Sequence, residues 1–342
     1  MRTMILNSIN DMEHNCKPLK MVDLPEPVPS DNEVLIKVQA CGVCHTELDE
    51  IEGRTTPPKF PVVPGHQVIG IVESTGKKVT KLKAGDRVGV GWIFSSCGKC
   101  SFCLSGHENL CADFMATGRD VNGGYAEYMV VNESFAYLIP PVFTSSQAAP
   151  LLCAGAVGYR SLMLSGLKDG SNLGLTGFGA SAHLVLQIVR YKFPKTKIFV
   201  FARSENERTF ARELGAFWAG DPAIDISDQM DCIIDTTPVW KPVVDALNKI
   251  KPGGRLIINA IRKEETDKNQ LLNLDFSNQL WMEKEIKSVA NVTRKDVIEF
   301  LSLAAEIPII PEIQEYKLDE ANIALTELKQ RKIRGAKVLV MD

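Results

Sequence analysis

No apolar run among the 342 residues is long enough to span a membrane, and no segment repeats or falls into low complexity. The net charge is −3 with histidine counted neutral, so the basic surface that nucleic acid or an anionic membrane would need is missing. The opening residues, Met1-Arg2-Thr3-Met4-Ile5-Leu6-Asn7, turn polar too early for a secretory signal. These absences point to a cytoplasmic enzyme with a small-molecule partner, engaging neither nucleic acid nor membrane. The length suits two domains, and 45% hydrophobic with 24% charged residues is ordinary for a globular chain.

Cysteine, by contrast, is plentiful: there are nine, and four of them fall between Cys97 and Cys111. In a reducing compartment such a cluster points to metal before disulfides. Cys97-x2-Cys100-x2-Cys103-x7-Cys111 offers four thiolates, which fill a tetrahedral zinc shell and leave no open position, so a structural zinc is expected. An iron–sulfur cluster could use the same ligands and ranks below zinc. A nucleic-acid zinc finger conflicts with the acidic charge.

The first 150 residues read as an irregular, mostly β domain, with strands at Val34–Val38, Val68–Ser74 and Arg87–Val90. After Pro150 the pattern alternates. Strands at Ser171–Thr176, Lys197–Phe201, Cys232–Ile234 and Leu256–Ile258 interleave with helices at Ala180–Tyr191, Ser204–Leu214 and Trp240–Ile250. This implies a parallel sheet with crossover helices. The helix at Ser204 carries a serine N-cap signal with Glu207 three residues on, the pattern of a capping box. Helices at Arg294–Ala305 and Leu318–Lys329 and a strand at Ala336–Val340 close the chain.

Within the alternating half, Gly177-Phe178-Gly179-Ala180-Ser181-Ala182 follows a strand and opens a helix. That context marks a dinucleotide loop, whose glycines admit a pyrophosphate to the helix N-terminus. The next strand ends in Ala202-Arg203-Ser204, with no acid to accept ribose hydroxyls. Arg203 and Ser204 could instead hold a 2′-phosphate, which favours NADP and leaves NAD as the alternative. Arg203 could also be simply a solvated surface cation.

Three further residues sit in suggestive places: Cys44 after a strand, His66 before one, and Cys153 where the alternation begins. Two thiolates and one imidazole would leave a fourth position open, the arrangement of a catalytic zinc. Spacing does not join them, and taken singly each could be a packing residue.

Gly42-Val43-Cys44-His45-Thr46, Gly65-His66, the four-cysteine cluster, Leu152-Cys153-Ala154 and Ile333-Arg334-Gly335 together resemble the zinc-containing medium-chain alcohol dehydrogenases, in order and spacing. The resemblance covers nearly the whole chain. It implies an α/β protein with a β-rich part: a GroES-like catalytic domain (1–152), a Rossmann doubly wound parallel sheet (153–290), and a C-terminal segment (291–342) returning to the catalytic domain, with the site in the cleft between the domains. It implies two zinc ions, one catalytic on Cys44, His66 and Cys153 and one structural on Cys97, Cys100, Cys103 and Cys111. Arg334 resembles the family's pyrophosphate-contacting arginine, and with His45 it joins Gly177, Gly179, Ala180, Ser181, Ala202, Arg203 and Ser204, read above, as an expected cofactor contact. Zinc would act as Lewis acid, Thr46 would relay the hydroxyl proton, and hydride would pass between an alcohol and the nicotinamide. Glu47 would orient His66. A homodimer or homotetramer is the implied assembly.

Three positions depart from the family. Gln67 stands where a glutamate is usual, Glu47 where an aspartate is usual, and Asp49 where some members end the proton relay on a histidine. Cys41 matches a common non-ligand, while Cys16 and Cys232 read as packing residues. Trp92 and Trp281 could narrow a substrate pocket or fill the core. The competing readings are a polyol or secondary-alcohol dehydrogenase of the same superfamily and a non-catalytic nucleotide-binding protein on this fold.

Overall fold

The alternating apolar residues of Glu33–Val43 show how the first half folds: Val34, Ile36, Val38 and Ala40 are buried while Lys37 and Gln39 face solvent. The structure, a computed structural model, describes residues 1–307, 309–330 and 335–341. It divides into two compact units, Met1–Cys153 with Thr293–Asp342, and Ala154–Val292.

The first unit opens with β1 (Arg2–Leu6) and β2 (Leu19–Asp23), then β3 (Glu33–Val43), which runs into α1 (His45–Ile51). Strands β4 (Val68–Thr75), β5 (Arg87–Val90) and β6 (Ile93–Ser95) follow. The short helix α2 (Ser101–Leu104) precedes β7 (Met115–Ala116), β8 (Tyr128–Asn132), β9 (Ala136–Leu138) and α3 (Ser145–Ala148).

The second unit begins at α4 (Ala154–Ser165), which the sequence reading leaves out because its two glycines mask the helical pattern. Then come β10 (Asn172–Thr176), α5 (Ala180–Lys192), β11 (Lys197–Phe201), α6 (Glu205–Glu213) and β12 (Trp218–Gly220). The unit closes with β13 (Met230–Asp235), α7 (Lys241–Lys249), β14 (Ile250–Ile258) and β15 (Glu285–Ser288). All six strands are parallel, in the order β12-β11-β10-β13-β14-β15. The order reverses between β10 and β13, which makes this a doubly wound Rossmann sheet with its switch point at Thr176 and Asp235. Central residues such as Leu175, Ile233 and Leu256 are fully buried, as strands covered on both faces require.

The chain re-enters the first unit through α8 (Arg294–Glu306), β16 (Ile313–Lys317), α9 (Ala321–Lys329) and β17 (Ala336–Val340). A Thr293–Asp296 capping box starts α8. The large sheet of this unit is ordered β16-β17-β3-β4-β5-β9. One edge of β3 pairs with β4, and the other is shared by β8 at its start and β17 at its end. Among the described residues no helix is long and apolar enough to cross a membrane.

Two expectations fail locally. The Ser204 side chain makes no cap bond on α6. Arg208 donates to the carbonyls of Ala202 and Arg203, both at 2.8 Å, and pairs with Glu205, which braces the turn into α6 without replacing the N–H acceptor that Ser204 was to supply. Cys16 is exposed rather than packed, because its loop between β1 and β2 lies on the surface. Cys41 and Cys232 are buried.

Candidate active site and metal centres

The four-cysteine segment folds by backbone-to-sulfur hydrogen bonds. The N–H of Cys100 donates to Cys97 Sγ at 3.4 Å, that of Cys103 to Cys100 Sγ at 3.5 Å, and that of Cys97 to Cys111 Sγ at 3.5 Å. Gly98, at φ +70°, supplies the left-handed residue that the first turn needs. All four sulfurs lie within 4.8 Å of one another. Cys97 Sγ and Cys103 Sγ are 3.8 Å apart, far beyond a disulfide and equal to the edge of about 3.8 Å that a tetrahedron with zinc–sulfur bonds of about 2.3 Å has. Backbone N–H groups of Lys99 and Cys100 hold the Cys97 thiol down to about 6, so it is largely thiolate at neutral pH. Buried Glu108 ties the segment to α8, accepting from the Arg294 N–H at 2.6 Å and its Nε at 3.1 Å.

A second cluster draws on three distant segments of the same unit. Cys44 follows β3 as the N-cap residue of α1, His66 precedes β4, and Cys153 ends the turn before α4. Their ligand atoms lie within 4.8 Å of one another, and Cys44 Sγ and Cys153 Sγ are 4.0 Å apart, again near a tetrahedral edge. His66 is 1% exposed. Its Nδ1–H donates to Glu47 Oε1 at 2.6 Å, which leaves Nε2 as a buried lone pair with no partner. An orphaned imidazole nitrogen between two thiols fits a metal ion and is costly without one. The hydrogen bond from Cys153 and the neighbouring His66 push the Cys44 thiol well down, while Cys153 is pushed well up by the same bond and by burial.

Glu47 serves two groups at once. Its Oε2 accepts the Cys44 N–H at 2.7 Å while Oε1 holds His66, so one carboxylate fixes both a ligand-bearing turn and an imidazole tautomer. Thr46, next to it on α1, is nearly buried, with Oγ1 3.7 Å from Cys44 Sγ. His45 is exposed on the same turn. Asp49 is committed elsewhere: it accepts from Arg54 Nε at 2.6 Å and is buried. Gln67 is buried against Gly42, where an added Cβ would lie 2.7 Å from its Oε1. Glu50, one turn beyond Glu47 and unremarked in the sequence, is 1% exposed with neither oxygen partnered; burial pushes its carboxyl well above the usual range. Trp92 packs on Phe114, with Arg119 stacked 5.3 Å over its ring, whereas Trp281 is exposed, its ring 5.9 Å from that of Phe276.

In the second unit Gly177 has φ +76°, and a side chain there would meet Thr236 Oγ1 at 3.0 Å, so the turn after β10 requires glycine. Gly179 caps α5, with Ala180 and Ser181 in its first turn. The Ser181 hydroxyl donates to Ala154 O at 2.9 Å and accepts from Asn259 Nδ2 at 3.2 Å, so it braces the loop. Ala202 is buried at the end of β11, and Arg203 and Ser204 are exposed beside it. Arg334 lies outside the described residues.

Residues 30–141 match the family model described as "Alcohol dehydrogenase GroES-like domain". The chain is 38% identical over 329 residues to "Probable alcohol dehydrogenase AdhA" of Mycobacterium tuberculosis, covering 95% of this chain and 93% of that one. It is 34% identical over 318 residues to "Cinnamyl alcohol dehydrogenase 1" of Ocimum basilicum, covering 88% and 86%. A solved cinnamyl alcohol dehydrogenase from Sorghum bicolor superposes with a TM-score of 0.85 at 27% identity, over 99% of this chain and 97% of that one.

Proposed function

The chain belongs to the zinc-containing medium-chain alcohol dehydrogenase family, and from that premise we propose that it interconverts primary alcohols and aldehydes with NADP(H), using Cys44, His66 and Cys153 to hold the catalytic zinc. The observation that carries the site assignment is the buried, unpartnered His66 Nε2 facing two thiols. Zinc bound there supplies a Lewis acid for the substrate oxygen. The protein's own part is proton handling and positioning. The Thr46 hydroxyl, beside Cys44, takes the substrate's hydroxyl proton and passes it on. Glu47 keeps His66 protonated on Nδ1 so that Nε2 stays a lone pair. Asp49, held by Arg54, is not the relay's exit. Cys97, Cys100, Cys103 and Cys111 take the structural zinc.

The unit Met1–Cys153 with Thr293–Asp342 is the catalytic domain in this reading, and Ala154–Val292 binds the cofactor with its Gly177–Gly179 turn. His45 and Arg334 remain proposed cofactor contacts. Similarity to two proteins named as cinnamyl alcohol dehydrogenases supports a primary alcohol as substrate. Two thiolate sites need a reducing compartment, which supports a cytoplasmic location; the proposed assembly is a homodimer or homotetramer.

NADP preference rests on Ala202 and Arg203: Ala202 offers no carboxylate to repel a 2′-phosphate, and the exposed Arg203 guanidinium has no ion-pair partner among the described residues. A charge-assisted bond worth roughly 1.5–3 kcal/mol makes a preference of about ten- to a hundredfold in kcat/KM for NADPH over NADH. Ala202→Asp with Arg203→Ala should reverse it. Equal or better use of NADH by the unaltered enzyme, measured side by side, would sink the NADP assignment.

A further inference from the structure

Lys263 follows β14 in the charged run Arg262-Lys263-Glu264-Glu265. Its side chain is nonetheless 7% exposed. The ammonium donates to Asp235 Oδ2, to Thr237 O at 2.7 Å and to Val239 O at 3.1 Å. Asp235 ends β13 and is fully buried. Its other oxygen accepts the hydroxyls of Thr176 at 2.7 Å and Thr237 at 2.8 Å. The three donors of the lysine are therefore spent, and both carboxylate oxygens are taken.

This network joins three loops at the carboxyl ends of adjacent strands. Thr176 is the last residue before the Gly177 turn; Thr236–Val239 follow β13; Asn259–Lys263 follow β14. Backbone bonds reinforce the grip, from Thr236 N–H to Thr176 O at 3.0 Å, Asn259 N–H to Asp235 O at 2.8 Å and Glu264 N–H to Pro238 O at 2.7 Å. The site is the switch point of a doubly wound sheet, where such folds take their ligands. With its donors spent the ammonium has none left for a phosphate, so any influence on a ligand must run through the loops it holds.

We propose that Lys263 is a positioning residue for the dinucleotide: it draws the 236–239 loop down onto Asp235 and holds the crevice beside Gly177 in its binding shape before the cofactor arrives. This rests on the dehydrogenase reading above, because it presumes that a dinucleotide occupies that crevice. Pre-organisation of this kind lowers the dissociation constant without adding a contact.

Three proteins separate the idea from a merely structural role: the wild type, Lys263→Met, and Lys263→Met with Asp235→Asn, which removes both charges and keeps an acceptor for the threonine hydroxyls. Fluorescence titration with NADH and NADPH, thermal melting without cofactor, and steady-state kinetics are run on each. The double variant should melt close to the wild type. Both variants should bind both dinucleotides about tenfold more weakly, as expected if the loop is correctly placed about a tenth of the time. The alcohol KM, and kcat at saturating cofactor, should stay within about twofold. A double variant that melts normally and binds as tightly as the wild type overturns the proposal. Hydrogen exchange on the wild type gives an arm that needs no variant: the amides of Thr236, Asn259 and Glu264 should be protected before any dinucleotide is added, and rapid exchange there overturns it too. A wild type that binds neither dinucleotide would overturn the dehydrogenase reading and this proposal together.

Discussion

The two cysteine-bearing sites of the first unit use the same ligand chemistry in opposite ways. The four-cysteine site is made within 15 consecutive residues and shaped by the backbone, two N–H···S bonds each spanning a turn and a third, from Cys97 to Cys111, joining the two ends of the segment. The three-ligand site gathers Cys44, His66 and Cys153 from across the sequence and is shaped by side chains, with Glu47 holding two of its parts. Closed coordination needs only a tight loop. An open coordination position needs a rigid frame around it, because the ligands that are present must stay fixed while the remaining position exchanges.

The sharpest break of this comparison is Cys44→Ser. It should remove one zinc of two by elemental analysis and lower kcat by about a thousandfold or more, since several kcal/mol of Lewis-acid stabilisation go with the metal, while circular dichroism stays native. Full activity in that variant would move the catalytic site elsewhere. Thr46→Ala leaves every ligand in place and should cost about 10²–10⁴-fold in kcat, with Thr46→Ser nearly normal; a wild-type rate in the alanine variant would mean that another group carries the proton. Glu47→Gln keeps the size of the side chain but weakens its grip on His66. It should cost about 10–100-fold in zinc affinity at the open site, read by competition with a chelator, and leave the four-cysteine zinc bound. Cys100→Ser is the mirror case. It should release the other zinc and lower Tm by roughly 10 °C, yet change kcat of the folded enzyme little. A Cys100→Ser enzyme that melts normally would show that the closed site contributes nothing to stability.

The same contrast decides what could be read in the sequence. The closed site was legible because its geometry is local: ligand spacing and tight turns lie in one short window. The glycine turn after β10 was legible for the same reason, since a positive φ leaves its mark on a single residue. The open site was legible only through resemblance, because no local rule joins His66 to Cys44 or Cys153. Features set by tertiary partners were missed. Glu50 looks like any polar residue on a short helix, and nothing nearby announces that it is buried without a partner. Lys263 sits among charged residues, and its burial depends on an aspartate 28 positions earlier. Ser204 makes no cap bond on α6, and the Arg208 guanidinium that braces this turn by donating to the Ala202 and Arg203 carbonyls is a contact that the Ser204-to-Glu207 spacing does not show.

The pairing of β17 with β3 gives the protein a history in time. Val338 lies opposite Gly42 and Lys337 opposite Val43, immediately before the Cys44 turn. About 290 residues separate these two strands, so at ribosomal speeds of roughly 5–20 residues per second the partner emerges some 15–60 s after the strand it completes. The second unit, by contrast, is one uninterrupted stretch and is fully synthesised before β17 exists. The half that is translated first is thus the half that is finished last. The end of β3, just before Cys44, waits with an open edge until β17 arrives to close it.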